Sequence, residues 1–578
     1  MKKDAARSEV TDAVRACGGY FLLAGMFSLA INLLFLTFPI FLLQVYDRVL
    51  TSRSEATLVM LVIAALIALA TMGALDNVRA RLLIRAGVKL DARLSSRVLS
   101  ALVERSVFPG SGGRAQPLRD LDNFRQIVTG QGVRALFDAP WVPIYIAVIF
   151  LIHPLLGVIA LGGAVLLFAL ALTNEFATRK PLNVANTALL RNYAFTEVSL
   201  RNAEVVQALG MFQALKARWL QERQTVLGHQ AVASDRAALI SSISKALRLF
   251  LQVGILGAGA ALAIKQIITP GAMFAGMILL GRALMPVEQA IAAWRPLVSA
   301  RESARRVKAL LADHPPREAG MPLPQPAGRL AVEGVTFVPP GSDRPALKQV
   351  SFALAPSEAL GICGPSAAGK STLARLLMGV WKPAAGSVRL DGADVFAWDR
   401  VDFGRHVGYL PQDVELFAGT IHENIGRFGE ARSEDVIDAA VKADVHQMIL
   451  HLPEGYDTEI GEGGAVLSAG QRQRIALARA LFGKPRLVVL DEPNSNLDSE
   501  GDQALVECLV ALKEAGTTVV IIAHRPSILN TVDKMMLLRD GVVELFGPRP
   551  EVMARMARGV IHPVAVTGGT SGQERDRS

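Results

Sequence analysis

The chain has 578 residues, 51% hydrophobic and 20% charged, with a formal net charge of +9. That length accommodates several domains, the apolar excess excludes a disordered polyelectrolyte, and 6% aromatics disfavours a nucleic-acid binder built on stacking platforms. The charge is uneven: residues 1–328 hold 35 Lys and Arg against 20 Asp and Glu, whereas 329–578 hold 26 against 32. A basic, strongly apolar half therefore precedes a weakly acidic, more soluble one.

A helix crossing a bilayer needs about 20 mainly apolar residues. Six stretches qualify: 20–45, 57–75, 133–152, 154–173, 247–268 and 273–294. The first is too long for a cleavable signal and lacks a small-residue cleavage site. Arg79, Arg81, Arg85, Lys89, Arg93 and Arg97 crowd the connection 76–132, and Arg179, Lys180, Arg191, Lys216, Arg218 and Arg236 the connection 174–246. Connections rich in Lys and Arg stay inside, so the short ones face outside and both termini are expected in the cytoplasm. Helical spacing of Leu94, Val98 and Leu102, and of Leu189, Leu190 and Tyr193, predicts that the spans run on as helices beyond the bilayer. Cys17, Cys363 and Cys508 are too few and too scattered for a disulfide framework or a metal motif.

Pro315, Pro316, Pro322, Pro324 and Pro326 mark 312–328 as a linker. Short β-rich runs follow at 329–338, 346–354, 359–363, 487–490 and 518–522, separated by helical patterns, which reads as an α/β domain. The expected organisation is a cytoplasmic segment 1–19, a six-helix membrane domain 20–311, the linker, an α/β P-loop domain 329–562, and a Gly- and Ser-rich disordered tail 563–578.

Gly364-Pro365-Ser366-Ala367-Ala368-Gly369-Lys370-Ser371-Thr372 fits G-x-x-x-x-G-K-[ST] after an apolar strand and before a helix. In that context backbone N–H groups cradle phosphates, Lys370 reaches the β- and γ-phosphates, and Ser371 reaches a Mg²⁺. A second apolar strand ends in Asp491 and Glu492: the first can hold the Mg²⁺ shell, the second can orient or deprotonate water, although either acid could instead form a salt bridge. Between them Leu467-Ser468-Ala469-Gly470-Gln471 opens a helix. Ser468 and Gln471 have capping-box spacing, and the same helix N-terminus could bind a phosphate.

The order of the phosphate loop, Gln412 in Tyr409-Leu-Pro-Gln, the signature 467–471, the Asp491-Glu492 strand, Asp498 in Ser-Asn-Leu-Asp, and His524 in Ile-Ala-His-Arg resembles the nucleotide-binding domain of an ABC transporter. Six spans fused to one such domain resemble a half-size exporter. The resemblance implies ATP and Mg²⁺ as ligands, Gln412 as a metal sensor, Ser468 and Gly470 on the γ-phosphate of ATP held by another subunit, Asp498 signalling across the dimer, and His524 on the γ-phosphate. It therefore implies a homodimer with two ATP sites. Two positions depart from the family pattern: Ala469 stands where a second Gly is usual, and Pro339 where many exporters stack a Tyr on adenine. Phe337 is no simple substitute, because strand alternation can aim it into the core.

A finer resemblance is to the permease/ATP-binding proteins of type I secretion, the alkaline-protease and haem-binding-protein exporter group (PrtD- or HasD-like). It is carried by Gln44-Val-Tyr-Asp-Arg-Val-Leu-Thr-Ser-Arg-Ser54, Phe137-Asp-Ala-Pro-Trp-Val-Pro143, Gly281-Arg-Ala-Leu-Met-Pro-Val-Glu-Gln289 and Asp491-Glu-Pro-Asn-Ser-Asn-Leu-Asp498. It implies an inner-membrane location, a periplasmic membrane-fusion adaptor, a TolC-like outer-membrane channel, and an unfolded protein cargo with an uncleaved C-terminal signal. The architecture also suits an exporter of lipids or hydrophobic drugs, while six spans weigh against a DNA-associated ATPase. Arg282, inside the last span, is either a wall of the transport pathway or a packing contact; Glu288 lies beyond Pro286, which can kink the helix. Segments 206–211 and 120–125 match the places where the family's membrane domain meets its ATPase.

Overall fold

The computed structural model describes residues 9–108, 116–316 and 323–557, with the side chains of Gln131 and Arg295 left aside. The tail 563–578, the middle of the linker at 317–322 and the first residues of segment 1–19 lie outside them. The chain divides into two compact units, Met1–Pro316 and Arg317–Ser578.

The first unit is helical. Its six candidate membrane crossings lie in Gly18–Ser52, Glu55–Ser106, Gln116–Ile152, Pro154–Arg201, Phe212–Ile264 and Pro270–Ala292. Three of these continue as single helices far past any bilayer: Glu55–Ser106 has 52 residues, Pro154–Arg201 has 48 and Phe212–Ile264 has 53, which at 1.5 Å per residue is about 70–80 Å each. The spans are apolar on their outer faces, as Leu151, Phe168 and Phe250 show by their exposure, a surface suited to lipid or to another chain. Inside, Tyr145, Ile149, Leu156, Leu167, Ile255, Leu280 and Leu284 form one core. A second core joins Val10, Ala13 and Cys17 to Leu90, Leu94, Val98, Leu121, Val307 and Leu311.

Leu94, Val98 and Leu102 are buried as a line. On Pro154–Arg201 the buried line instead passes through Leu182, Ala185, Ala188 and Asn192, while Tyr193 is 51% exposed. Small residues let this helix and Phe212–Ile264 approach closely there, and Asn192 Nδ2 donates to the Trp219 carbonyl at 3.3 Å. The helix Pro270–Ala292 runs through Pro286.

The first and third crossings are broken. Helix Gly18–Phe35 hands over to Thr37–Gln44 and then to a π-helical turn, Val45–Val49. That turn aims Asp47 at the start of the last span, where its carboxylate accepts from Thr269 Oγ1 at 2.5 Å and from the Gly271 amide at 2.9 Å. Thr269 in turn caps Ala272, and Tyr46 stacks on Phe274 with centroids 4.7 Å apart. A Cβ on Gly271 would lie 2.8 Å from the Leu43 backbone, so this approach requires glycine. The third crossing is two helices, Gln131–Asp138 and Trp141–Ile152, interrupted at Ala139–Pro140.

The second unit is α/β. A four-stranded antiparallel sheet takes the order β2-β1-β4-β5, from β1 (Leu330–Phe337), β2 (Leu347–Leu354), β4 (Ala385–Leu390) and β5 (Ala393–Asp394). The larger sheet has the order β10-β9-β3-β8-β7-β6, with β3 (Ala359–Cys363), β6 (Val407–Leu410), β7 (Leu487–Asp491), β8 (Thr518–Ile522) and β9 (Lys534–Arg539) mutually parallel and β10 (Val542–Pro548) antiparallel at one edge. Every residue of β3, β7 and β8 is buried, as expected of parallel strands covered on both faces. Arg427 donates to five carbonyls, those of Gly404, Val407, Arg479, Ala480 and Phe482. Burial lowers its pKa to about 10, which still leaves it charged at neutral pH.

Asp47→Ala removes an N-terminal partner of the last span. The expected loss is about 1 kcal/mol, read as a lower thermal midpoint of the detergent-solubilised chain, with Asp47→Asn intermediate because it keeps one acceptor oxygen.

Candidate functional site

The phosphate loop joins buried β3 to the helix Lys370–Leu377. Its shape depends on unusual backbone: Gly364 has φ +152°, Ala367 +64° and Gly369 +100°. A Cβ on Gly364 would stand 2.1 Å from the Leu538 carbonyl oxygen, so no other residue fits. Pro365, Ser366 and Ala367 are exposed at the loop's tip, while Ala368 and Lys370 are buried. Lys370 Nζ donates to the carbonyls of Gly364 at 2.8 Å and Pro365 at 3.0 Å, which holds a cation under the loop. Ser371 and Thr372 follow in the first helical turn, where free N–H groups and the helix dipole favour anions.

Two strands away in the sheet, β7 delivers Asp491, 1% exposed. Its carboxylate is hydrogen-bonded by Ser371, yet burial keeps its pKa above the ordinary Asp range, and neighbouring Glu492 pushes it the same way. Asp491 Oδ1 is buried with no hydrogen-bond partner. An ionised oxygen left unpaired in a buried site is costly, and a hard cation with oxygen preference would relieve it. No cluster of three or more His, Cys, Asp or Glu occurs among the described residues; the remaining ligands of such a cation would be the Ser371 hydroxyl, the Gln412 side chain, phosphate and water. Tyr409, on adjacent β6, is pushed up to about 12 by burial and by Asp491.

Glu492 sits just past the strand with φ +50°, a costly conformation for a side-chain-bearing residue that concentrates at functional sites. Its N–H donates to the Ile522 carbonyl at 3.0 Å. The strained turn presents its carboxylate between two groups from other segments: Gln412 Nε2 donates to Oε2 at 3.3 Å, and His524 Nε2 lies 3.7 Å from Oε1. Gln412, Glu492 and His524 thus come together on an accessible rim, beside the buried Asp491 and Ser371.

The signature does not join them. Ser468 caps the helix Ala469–Leu481 in a complete capping box: Gln471 N–H donates to Ser468 Oγ at 3.2 Å, and Ser468 N–H to Gln471 Oε1 at 2.8 Å. Ser468 and Ala469 are exposed, and a Cβ on Gly470 would meet the Asn496 carbonyl at 3.1 Å. Among the described residues none of the signature positions bonds to the phosphate loop. Asp498 caps a different helix, Ser499–Glu514, through Gly501 N–H at 2.8 Å, and lies 3.4 Å from Arg474.

Sequence reasoning passed over Gln473. It is 1% exposed and donates to the Pro493 carbonyl at 2.9 Å, while Asn496 reaches back to it at 3.4 Å. The loop after Glu492 is thereby docked on the signature helix. A glutamine in the middle of a helix carries no local signal of such a role.

Phe337 is 3% exposed and stacks on Trp381 with centroids 5.0 Å apart. It faces the core, and half-buried Pro339 begins the turn closed by Ser342 N–H. All three cysteines are free and buried; burial raises Cys363, and Cys508 to about 12, so neither is a reactive thiolate.

In the membrane unit Arg282 Nη2 donates to Asn32 Oδ1 at 3.1 Å, and its guanidinium lies 4.7 Å from the centre of the Phe35 ring. It also lines a cavity of about 370 Å³. Glu288 pairs with Arg248 at 2.8 Å. Asp120 is buried on Arg306 and Ser303, so the exposed residues of 120–125 are Asp122, which pairs with half-buried Arg125, and Asn123. Segment 206–211 comprises the end of a short helix, Ala203–Ala208, and a turn at Gly210, φ +62°.

Known proteins share this architecture. The model for the ABC transporter transmembrane region matches residues 21–287, and that for the ABC transporter matches 347–495. The chain is similar to the type I secretion system ATP-binding protein PrsD of Rhizobium meliloti, at 46% identity over 94% of each chain. It is also similar to the cyclolysin secretion/processing ATP-binding protein CyaB of Bordetella pertussis, at 29% identity over 92% of this chain and 75% of that one. A solved bacterial Atm1-family ABC exporter with ATP bound superposes with a TM-score of 0.79, covering 97% of this chain and 99% of the other, at 23% identity. A membrane-spanning helical unit fused to a nucleotide-binding ATPase defines an ABC exporter, whose ATP hydrolysis drives transport. Within that class the chain belongs to the type I secretion ATP-binding proteins.

Because burial holds the Asp491 pKa up, its ionised form opposes folding at neutral pH, and that cost fades as pH falls through the raised pKa. Asp491→Asn is expected to stabilise the ligand-free protein by about 1–3 kcal/mol at pH 7, less in acid, and to abolish the extra stabilisation that Mg²⁺ gives an ADP-bound sample. Thermal unfolding with and without Mg²⁺ reads both effects.

Proposed function

We propose that the chain is the inner-membrane motor of a type I secretion system. It would export an unfolded protein that carries a C-terminal signal, an RTX-type protease or a similar cargo, with both termini and the ATPase unit in the cytoplasm. The carrying observation is the meeting of Gln412, Glu492 and His524 beside a buried, unpaired Asp491 oxygen, in a chain 46% identical to a type I secretion ATP-binding protein.

Residues 364–372 would hold the ATP phosphates by backbone N–H groups and Lys370. Ser371 and Asp491 would hold Mg²⁺, with Gln412 sensing it, and the ion would neutralise charge on the phosphates. Glu492 would orient and deprotonate the attacking water, and His524 would hydrogen-bond the γ-phosphate. Ser468, Gly470 and Gln471 sit at an exposed helix N-terminus away from the phosphate loop's bonds, which supports a role on ATP held by a second copy. Asp498 would then report across that homodimer. Segments 206–211 and 120–125 would pass the change to the spans. A periplasmic membrane-fusion adaptor and a TolC-like outer-membrane channel would continue the route.

Two tests bear on this reading. Glu492→Gln is expected to bind ATP normally while turnover falls about 100-fold to 10,000-fold; hydrolysis at the wild-type rate would remove Glu492 from the base role. In vesicles, a peptide from the C-terminus of a secreted repeat protein should stimulate the ATPase. Stimulation by lipids or hydrophobic drugs, with none by the peptide, would replace protein export by the second activity this architecture suits.

A further inference from the structure

Within the membrane unit a polar cluster is assembled from four of the six crossings. Asp138, at the break in the third, accepts from Asn32 Nδ2 at 2.9 Å and from Arg79 Nη1 at 3.1 Å. Arg79 also donates to Ser28 Oγ at 2.8 Å and to Asp76 at 2.6 Å. Tyr145 donates its hydroxyl to Asn32, which in turn receives Arg282. Both carboxylates are therefore committed to one cation, Arg79.

The other two cations have no such partner. Arg282 is held by a neutral amide, the Tyr145 hydroxyl, a thioether at 3.4 Å and a ring face. Arg134 makes no hydrogen bond or ion pair among the described residues, and its Nε is buried without an acceptor. Arg134 and Arg282 share the wall of the 370 Å³ cavity with Asp76, Arg79, Asp138 and Phe35. Three Arg against two Asp leave this wall formally positive. Both arginines are half-buried; a guanidinium even partly withdrawn from water without a counter-charge is costly, and in a membrane such charges mark substrate routes. An arginine's planar set of donors matches a carboxylate oxygen pair.

We propose that this cavity is a carboxylate-binding subsite on the translocation route, where Arg134 and Arg282 together receive a carboxylate of the passing polypeptide. The subsite deepens the protein-export reading and rests on it. It acts as a selectivity element: an acidic segment entering the spans exchanges water for two guanidinium groups already in place, whereas a neutral or basic segment leaves them unpaired. An acidic side chain and the chain's terminal carboxylate offer the same group, and the experiment separates them.

The test uses the full chain in nanodiscs and three synthetic peptides sharing one neutral background. One carries interior Asp residues and an amidated C-terminus, one has no acidic residue but a free C-terminal carboxylate, and one has neither. ATPase stimulation is titrated with each. In wild type the half-maximal concentration should be about tenfold lower for at least one carboxylate-bearing peptide than for the neutral one; which peptide shows it identifies the source. Arg134→Gln with Arg282→Gln should erase that ratio, whereas Arg134→Lys with Arg282→Lys, which keep the charge but not the paired donors, should reduce it without erasing it. The single variants carry the same reading should the double variant fail to fold. A ratio near one in wild type, or one that persists in the Gln variants, overturns the subsite and leaves protein export standing. Loss in the Lys variants as well overturns it in favour of packing. A wild type that answers to no peptide but to lipid overturns protein export, and the subsite with it.

Discussion

The ATPase unit is organised around a carboxylate that it cannot neutralise by itself. Asp491 ends one of the three fully buried strands of the sheet, is 1% exposed, and keeps one oxygen without a partner. The surroundings go part of the way: Ser371 donates to it, and Lys370 and Arg375 contribute favourable potential, yet burial still dominates. The strand order puts β7 and β3 on either side of β8, so the loop that cradles phosphate and the acid that lacks a counter-charge open at the same end of the parallel strands, where α/β folds place their ligands. A cation held between phosphate and Asp491 supplies the missing charge. Ligand binding is thus built into the folding energetics of this unit.

The membrane unit meets the same electrostatic constraint with a different solution. Lipid offers no hydrogen bonds, so Asp138 and Arg79 are joined and then tied by Asn32, Ser28 and Tyr145 to neighbouring helices. Pairing of this kind is weak evidence for stability in itself, because desolvation offsets much of the attraction. What it supplies is register: a helix slid by one turn would leave each of these groups alone.

The parts of this architecture written in local runs of residues could be read directly. Six apolar stretches, the phosphate loop, the acidic strand end and the capping box each occupy one short segment. Helix ends could not, because beyond the bilayer the same helices continue with ordinary amphipathic spacing; Glu55–Ser106 shows no signal at residue 75. Strand β6 was hidden for a related reason. It has four residues, one of them Gly408, whose Cβ would sit 2.1 Å from the Ala480 carbonyl oxygen, so it is chosen for close helix packing rather than for β propensity. Edge strand β10 is only half-buried and lacks a clear alternation. Asp138 stood in a visible motif, but its partner Asn32 is 106 residues away, and pairings at that distance leave no trace in spacing. Gln473 is another case, its importance set by the loop it holds.

The first and last spans are fastened to each other twice. One tie is Asn32 to Arg282, and the other is Asp47 to Thr269 and Gly271; along the helices the two lie roughly 16–22 Å apart at 1.5 Å per residue. A single tie leaves a pair of rods free to scissor about it, whereas two well-separated ties remove that rotation. These two spans therefore travel as one lever. Rearrangement of the membrane unit then falls to the remaining four crossings moving against it, or to bending at Leu36, where the first span already changes helix.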